Sequence, residues 1–351
     1  MKYEKGDLAF MKNMIRRNYN IDLLRVLAAL LIVMFHYTTR YAQLYGYDNK
    51  SFHLSITYGG AIGNAMFLIL TSFFTINSAI KSQSTKDFFI KRMIRLYPTY
   101  TLCLTITFIS VSLFGLQGRE TSTIDYFLNL FFLNYFLGTN YVDGAHWFMS
   151  FQMMMILILL ILKKINYIKK LNVYYVWIFI NIIIRFLLKF GNQSIVDILN
   201  IIKIFTLESY APYIIIGIGL RFLLDKKASF KEVTGLFIIS YFNILINEGI
   251  IVCTIALIIT GLIAVIIFRV PSNKGVRFKN YLIFISGVSY PLYLIHQNIG
   301  YQIRFYLISL GLKSEVFIFI PLIISIGLAT MIHHFFEKPV TNYLDKVMKM
   351  L

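Results

Sequence analysis

Long apolar stretches recur along this chain, each close to or above the roughly 18–20 residues that carry a helix across a bilayer. Short polar and basic segments separate them. We place spanning helices at about 22–40, 57–80, 97–116, 146–162, 172–190, 209–224, 232–247, 250–268, 281–303 and 316–336. The expected fold is an all-α, polytopic integral membrane bundle of about ten transmembrane helices. Two longer connections, 117–145 and 191–208, fall on one side, and neither has room for a separate folded domain. Within the first, Asp125 to Leu137 is expected to form a short interfacial or re-entrant helix. The chain divides into a basic N-terminal tail (1–20), one transmembrane domain (21–337) and a C-terminal tail (338–351).

Composition excludes a soluble protein: 58% of the 351 residues are hydrophobic and only 14% are charged. The net charge of +18 raises the question of nucleic acid, and its distribution answers it. Lys and Arg gather in the N-terminal tail, in every second connection (Lys86, Lys91, Arg92 and Arg95; Lys163 to Lys170; Lys226 to Lys231; Arg269 to Lys279) and after the last span. The other side holds few, among them Arg40, Arg119 and Arg304. The positive-inside rule therefore puts both termini in the cytoplasm, and the charge is topology rather than nucleic-acid binding. Met1 to Asn20 is polar and basic with no cleavage site after the first apolar run, so no signal peptide is expected. Cys103 and Cys253 both fall in apolar segments and have neither metal-ligand nor disulfide spacing. They read as inert buried thiols, and no metal is expected.

The first span contains two ionisable residues, Arg25 and His36. Ionisable groups inside a membrane are costly and mark functional sites, usually facing the bundle interior or a polar cavity. Eleven residues return to within roughly 20° of the same face and climb about 16 Å. Arg25 then lies near one membrane face and His36 near the other, on one stripe of one helix. Beside Arg25 in depth come Lys91, Arg92 and Arg95, before the third span. Arg92 and Arg95 are three apart and share a helix face. Converging guanidiniums would suit a phosphorylated ligand; the other readings are ordinary positive-inside charge for Arg92 and Arg95 and snorkelling for Arg25. At the depth of His36 lie His146, opening the fourth span beside Trp147, and His296, in the ninth. Imidazole titrates near neutrality, so a general base or proton shuttle is one reading and a structural hydrogen bond the other. Trp147 also fits an interfacial anchor. His333, His334 and Glu337 read as polarity at the end of the tenth helix, which Pro339 should end or bend.

Taken together, these residues resemble the acyltransferase-3 family of membrane-bound acyltransferases. The similar features are Arg25, ten residues, then His36; Arg92-Met-Ile-Arg95; the apolar second span Ala65 to Phe74; His146-Trp147-Phe-Met; Ser289-Tyr-Pro-Leu-Tyr-Leu-Ile-His296; and Phe336-Glu337-Lys338-Pro339. The resemblance runs over essentially the whole chain. Three departures stand out. Thr71-Ser72 replaces a common Ser-Gly, a packing change. Gln152 and Met153 stand where many relatives place carboxylates. With so few residues after the tenth span, the extracellular domain fused to some relatives is not expected here.

The resemblance implies an O-acetyltransferase of surface glycans in the bacterial cytoplasmic membrane, with acetyl-CoA as donor and a glycan acceptor outside. Arg25, Arg92, Arg95 and Lys91 would hold the donor. His36 would act as general base or transient nucleophile, Tyr293 or His296 would stabilise the oxyanion or orient His36, and His146, Trp147 and Gln152 would lie on the acceptor side. The alternative is an exporter of polysaccharide or of a lipid-linked intermediate, which also fits a bundle with polar groups at mid-membrane.

Overall fold

A computed structural model describes residues 19–46, 55–269 and 279–350. Among these residues every regular element is helical. The N-terminal basic tail lies outside the described residues, apart from its last two positions, as does most of the basic connection before Lys279.

Helix α1 runs from Tyr19 to Tyr45, and within its second half His36–Arg40 is a π-turn. α2 (Gly59–Lys81) and α3 (Thr85–Phe114) follow, joined by a tight turn that Ser84 caps by accepting the Asp87 N–H. The expected interfacial helix exists as two short pieces, α4 (Thr123–Leu130) and α5 (Asn134–Leu137). Ile124, Phe127, Phe131 and Leu137 face outward from them, as suits a segment lying at a membrane surface. Asn129 holds this loop from inside: it donates to the carbonyls of Asp125 and Asn140 and accepts the Val142 N–H. A 3-10 turn, Gly144–His146, leads into α6 (Trp147–Lys164) and then α7 (Leu171–Phe190).

Residues 191–208, expected as a loop, instead contain a helix, α8 (Gln193–Thr206), packed along α7. Its Thr206 carbonyl accepts the Trp177 indole N–H at 2.7 Å, while Ile198, Ile201 and Phe205 stay exposed. α9 (Ala211–Leu224) runs back through the core. α10 (Phe230–Phe268) is formally one helix but breaks at Gly249, whose φ of 83° suits glycine. The chain reverses there: Cys253 Sγ reaches the Tyr241 carbonyl at 3.4 Å, although the two residues are twelve apart. Two expected spans are thus the arms of one hairpin. α11 (Lys279–Ser309) and α12 (Phe319–Ile332) complete the bundle.

Among the described residues eight helices are long and apolar enough to cross a membrane, so the count of ten is approximate. Two features explain the difference. α10 counts once although it reverses at Gly249, and α11, long enough at 31 residues, carries more polar side chains. The sequence also suggested a C-terminal tail after residue 337. The chain there remains helical: a π-turn, His333–Glu337, passes directly into α13 (Lys338–Met350). Proline breaks helices because it lacks an N–H and presses on the carbonyl four residues back. For Pro339 that carbonyl belongs to Phe335, inside the π-turn, where the widened backbone accommodates the defect without ending the helix.

Membrane helices gain no hydrophobic drive from packing together in lipid, so close approach through small residues matters. Gly63 lets α2 touch α1, since a Cβ there would press into Ile32 and the Ala28 carbonyl. Gly217 does the same between α9 and α2, against Ser72 and the Ile69 carbonyl. Ser72 itself folds back onto the carbonyls of Leu68 and Ile69, consistent with a packing role. Together with the packing of α11 on α1, these contacts make α1, α2, α9 and α11 the frame on which the polar residues sit.

Candidate functional site

The polar residues collect at two levels of the bundle. At the first, the π-turn that starts at His36 turns this ring towards α11, where His36 Nδ1 lies 2.8 Å from His296 Nε2. The rings stack with centroids 5.0 Å apart. His296 Nδ1 faces the carbonyls of Tyr293 (2.8 Å) and Leu292 (3.2 Å). A carbonyl only accepts, so Nδ1 of His296 carries its proton and Nε2 is the acceptor. With both rings neutral, His36 donates through Nδ1, which leaves its Nε2 as a lone pair. The assignment follows from the hydrogen-bond network itself.

Everything around this pair is braced. Tyr37 donates to the His296 carbonyl at 2.8 Å, shares a 2.7 Å hydrogen bond with Ser325 of α12, and lies flat against Gly300. Arg304 donates to the Tyr37 carbonyl and stacks 4.1 Å above the Tyr41 ring. Asp143, fully buried, accepts the backbone N–H groups of Ala145 and Asn298. It thereby ties the 3-10 turn before α6 to α11, two residues past His296. Tyr37, Asp143, Asn298 and Ser325 were not singled out by their sequence. Each looks ordinary in its own segment and acquires its role only from a partner far along the chain.

The remaining expected residues of this level behave differently. Tyr293 is buried between Phe67 and Phe148, with ring centroids at 5.3 and 5.4 Å, and lies 5.9 Å from His296. His146 is fully buried, with its Nε2 on the Leu294 carbonyl at 2.9 Å and its ring edge against Tyr100. It fastens α11 rather than pairing with His36. Trp147 stacks on Tyr210 with ring centroids 4.9 Å apart. Gln152 is buried a turn further along α6.

The second level lies at the end of the bundle that carries the basic connections. A cavity of about 670 Å³ opens there, lined by Lys91, Arg92, Arg95 and Lys338 together with Phe74, Asn77, Ser78, His333, Glu337, Thr341, Asn342 and Asp345. Arg92 and Arg95 do share this wall. Arg92 Nη2 donates to the Phe74 carbonyl at 2.9 Å, and Arg25 sits over the other part of the same residue, 5.1 Å from its ring. Arg25 itself lies next to the cavity rather than in its lining. Asp22, 4.0 Å from Arg25, accepts from Ser286 of α11. His333 and Glu337, expected as mere helix-end polarity, form a 2.7 Å pair across the π-turn in the cavity wall. α13 supplies the far side through Lys338, Thr341, Asn342 and Asp345. Among the described residues no three His, Cys, Asp or Glu side chains come together as a metal-ligating set.

A paired-histidine site within a helical bundle, joined along α1 to a cationic cavity, is an arrangement suited to moving an activated group from one side to the other. Comparison with protein families is decisive. Residues 18–334 match the family described as an acyltransferase domain, the acyltransferase-3 family. The chain belongs to that family. It is a multi-pass membrane acyltransferase. No curated protein and no solved structure matched it. The match ends inside the second π-turn, so α13 and the part of the cavity that it lines fall beyond the shared domain.

Proposed function

We propose that this acyltransferase takes an acetyl group from acetyl-CoA at its basic end and passes it to a hydroxyl of a cell-surface or lipid-linked polysaccharide at the other. On this reading it lies in a bacterial cytoplasmic membrane with both termini on the cytoplasmic side, as its loop charges favour. The observation that carries the reading is the His36–His296 hydrogen bond, which presents His36 as a neutral imidazole with a basic Nε2.

The cavity suits the donor. Lys91 in its lining is paired with Asp87 at 2.8 Å, while Arg92, Arg95 and Lys338 stand against two carboxylates, of which Glu337 already engages His333. Arginine forks match phosphate oxygens, and a diphosphate-bearing thioester leaves its acyl end free to reach along α1. Acetyl-CoA supplies the acyl group as a thioester. Arg25, beside Phe74, guides the donor towards the bundle interior. His36 Nε2 takes the proton of the acceptor hydroxyl as that oxygen attacks the thioester carbonyl. The C–S bond breaks, the ester forms, and the proton passes to the departing thiolate. His296 holds the tautomer of His36, Tyr293 borders the reacting carbonyl, and the apolar rings of Phe67 and Phe148 keep water from the thioester. On the acceptor side Trp147 offers aromatic surface, His146 acts from within by holding α11, and Gln152 stands buried further along α6.

The test is transfer of isotope-labelled acetyl from acetyl-CoA into glycan in native membranes, comparing wild type with His36→Ala at equal membrane levels. Label that disappears with the variant supports the reading. Equal labelling by both removes His36 from the chemistry. No label from wild type, with un-exported glycan accumulating in cells that lack the protein, replaces transfer by export.

A further inference from the structure

One turn beyond the His36–His296 pair, away from the basic end, stand two arginines that the chemistry above leaves unused. Arg40 lies four residues after His36, at the end of the same π-turn, and is exposed. Arg119 comes from the connection after α3 and reaches over α11 at the next turn past His296. Its guanidinium lies 6.0 Å from the Tyr301 ring. A Cβ placed on Gly144 would stand 3.1 Å from Arg119 Nη1 and 2.8 Å from the Gln297 carboxamide, so this glycine is what admits both groups. Arg119 is therefore seated beside the residue that follows His296.

The nearby carboxylates, Asp143 and Glu120, hydrogen-bond to backbone N–H groups rather than to these guanidiniums. Asp143 is fully buried and commits its oxygens to the backbone N–H groups of Ala145 and Asn298. Glu120 accepts the backbone N–H of Arg119. Arg40 donates to Gln43, a neutral amide, at 3.1 Å. Among the described residues neither arginine forms an ion pair. This end of the bundle is otherwise poor in cations, so two guanidiniums with only neutral partners in reach, Gln43 for Arg40 and the Tyr45 hydroxyl for Arg119, are not explained by membrane topology. Arginine at such a position recognises carboxylate or phosphate through its planar fork of donors.

We propose that the acceptor is anionic: a carboxylate or phosphate close to the acylated hydroxyl is held by Arg119 and Arg40. This selects an acidic polysaccharide repeat, bearing a uronate-type carboxylate or a phosphodiester, over a neutral one. Arg119 positions the repeat so that its hydroxyl meets His36, and Arg40 neutralises the same charge from the exposed side. The inference rests on the proposed acyl transfer to a glycan.

The experiment uses the full-length protein in proteoliposomes, labelled acetyl-CoA, and un-acetylated surface glycan prepared from source cells lacking this protein. Labelled glycan is digested to repeat units at neutral pH and passed over an anion exchanger, with phosphatase treatment and carboxyl amidation separating the two kinds of charge. Labelled units should be retained. Arg119→Gln should raise the KM for glycan roughly ten- to a hundredfold, as expected for losing a hydrogen bond to a charged group, and leave the KM for acetyl-CoA unchanged. Arg119→Lys should lie between, and Arg40→Gln, at an exposed site that tolerates change, should show the smaller increase of the two Gln variants. Labelled units that pass through uncharged overturn the proposal, as does an unchanged glycan KM in both Arg119→Gln and Arg40→Gln. Absence of label with wild-type protein overturns the underlying transfer reading instead, and the acceptor assignment with it.

Discussion

Replacing His296 by alanine tests the paired-histidine arrangement most directly. The substitution removes the only acceptor that His36 Nδ1–H has among the described residues, a 2.8 Å bond between two rings in the bundle interior. Leaving a buried donor without a partner costs about 1–3 kcal/mol. If that cost falls on the step in which His36 accepts a proton, the rate drops about 5- to 150-fold, at 1.36 kcal/mol per factor of ten. The loss has a specific cause, because His36 no longer has a reason to keep its proton on Nδ1 and its lone pair on Nε2. His296→Gln is the matched control. A glutamine carboxamide offers one oxygen to accept from His36 and an N–H group to donate to the Tyr293 carbonyl, so it preserves both polarities of the histidine. The assay is the initial rate of labelled acetyl transfer at saturating donor, read beside the thermal midpoint of each variant in detergent. The expected order is wild type, then His296→Gln, then His296→Ala, with similar membrane levels. Alanine as active as wild type would refute the relay. So would a folded glutamine variant no better than alanine, since the ring itself, rather than its hydrogen bonds, would then be what His36 needs.

Two further outcomes follow from the same geometry. Arg92→Gln combined with Arg95→Gln should raise the KM for acetyl-CoA and abolish the thermal protection that the donor gives. For wild type that protection amounts to about 2.7 kcal/mol at a hundredfold excess over Kd, and a double variant still fully protected would remove this cavity from donor binding. Gly217→Ala should destabilise the bundle by about 1–3 kcal/mol, as overpacking does, because its methyl would collide with Ser72 and the Ile69 carbonyl where α9 crosses α2. A thermal midpoint unchanged from wild type in detergent would show that the two helices are not held as closely as described.

Hydropathy alone identifies this chain as a helical membrane bundle, because hydrocarbon leaves the backbone few ways to satisfy its own hydrogen bonds. It also places most of the spanning segments, since apolar length is a local property, although α3 begins at Thr85, well before the apolar run at 97–116. Chemistry is legible where an ionisable group interrupts an apolar run: Arg25, His36 and His296 stand out because burying them in a bilayer demands a reason. Local reading fails where the outcome depends on two segments at once. The C-terminal residues Lys338–Met350 are too polar to span and so look like a tail, yet they form a helix that walls the cavity beside Arg92 and Arg95. His333 and Glu337 look like helix-end polarity until the π-turn brings them together on that wall. Asp143 gives no signal at all, because its partners are backbone N–H groups, one of them 155 residues away. His36 and His296 are 260 residues apart, and only the close packing of α1 on α11 makes them a pair. Burial and helical period, both local, set which helices form and which of them carry chemistry. Which side chains meet depends on the packed bundle, because small residues such as Gly63, Gly217 and Gly300 set how near the helices come and therefore which groups face one another.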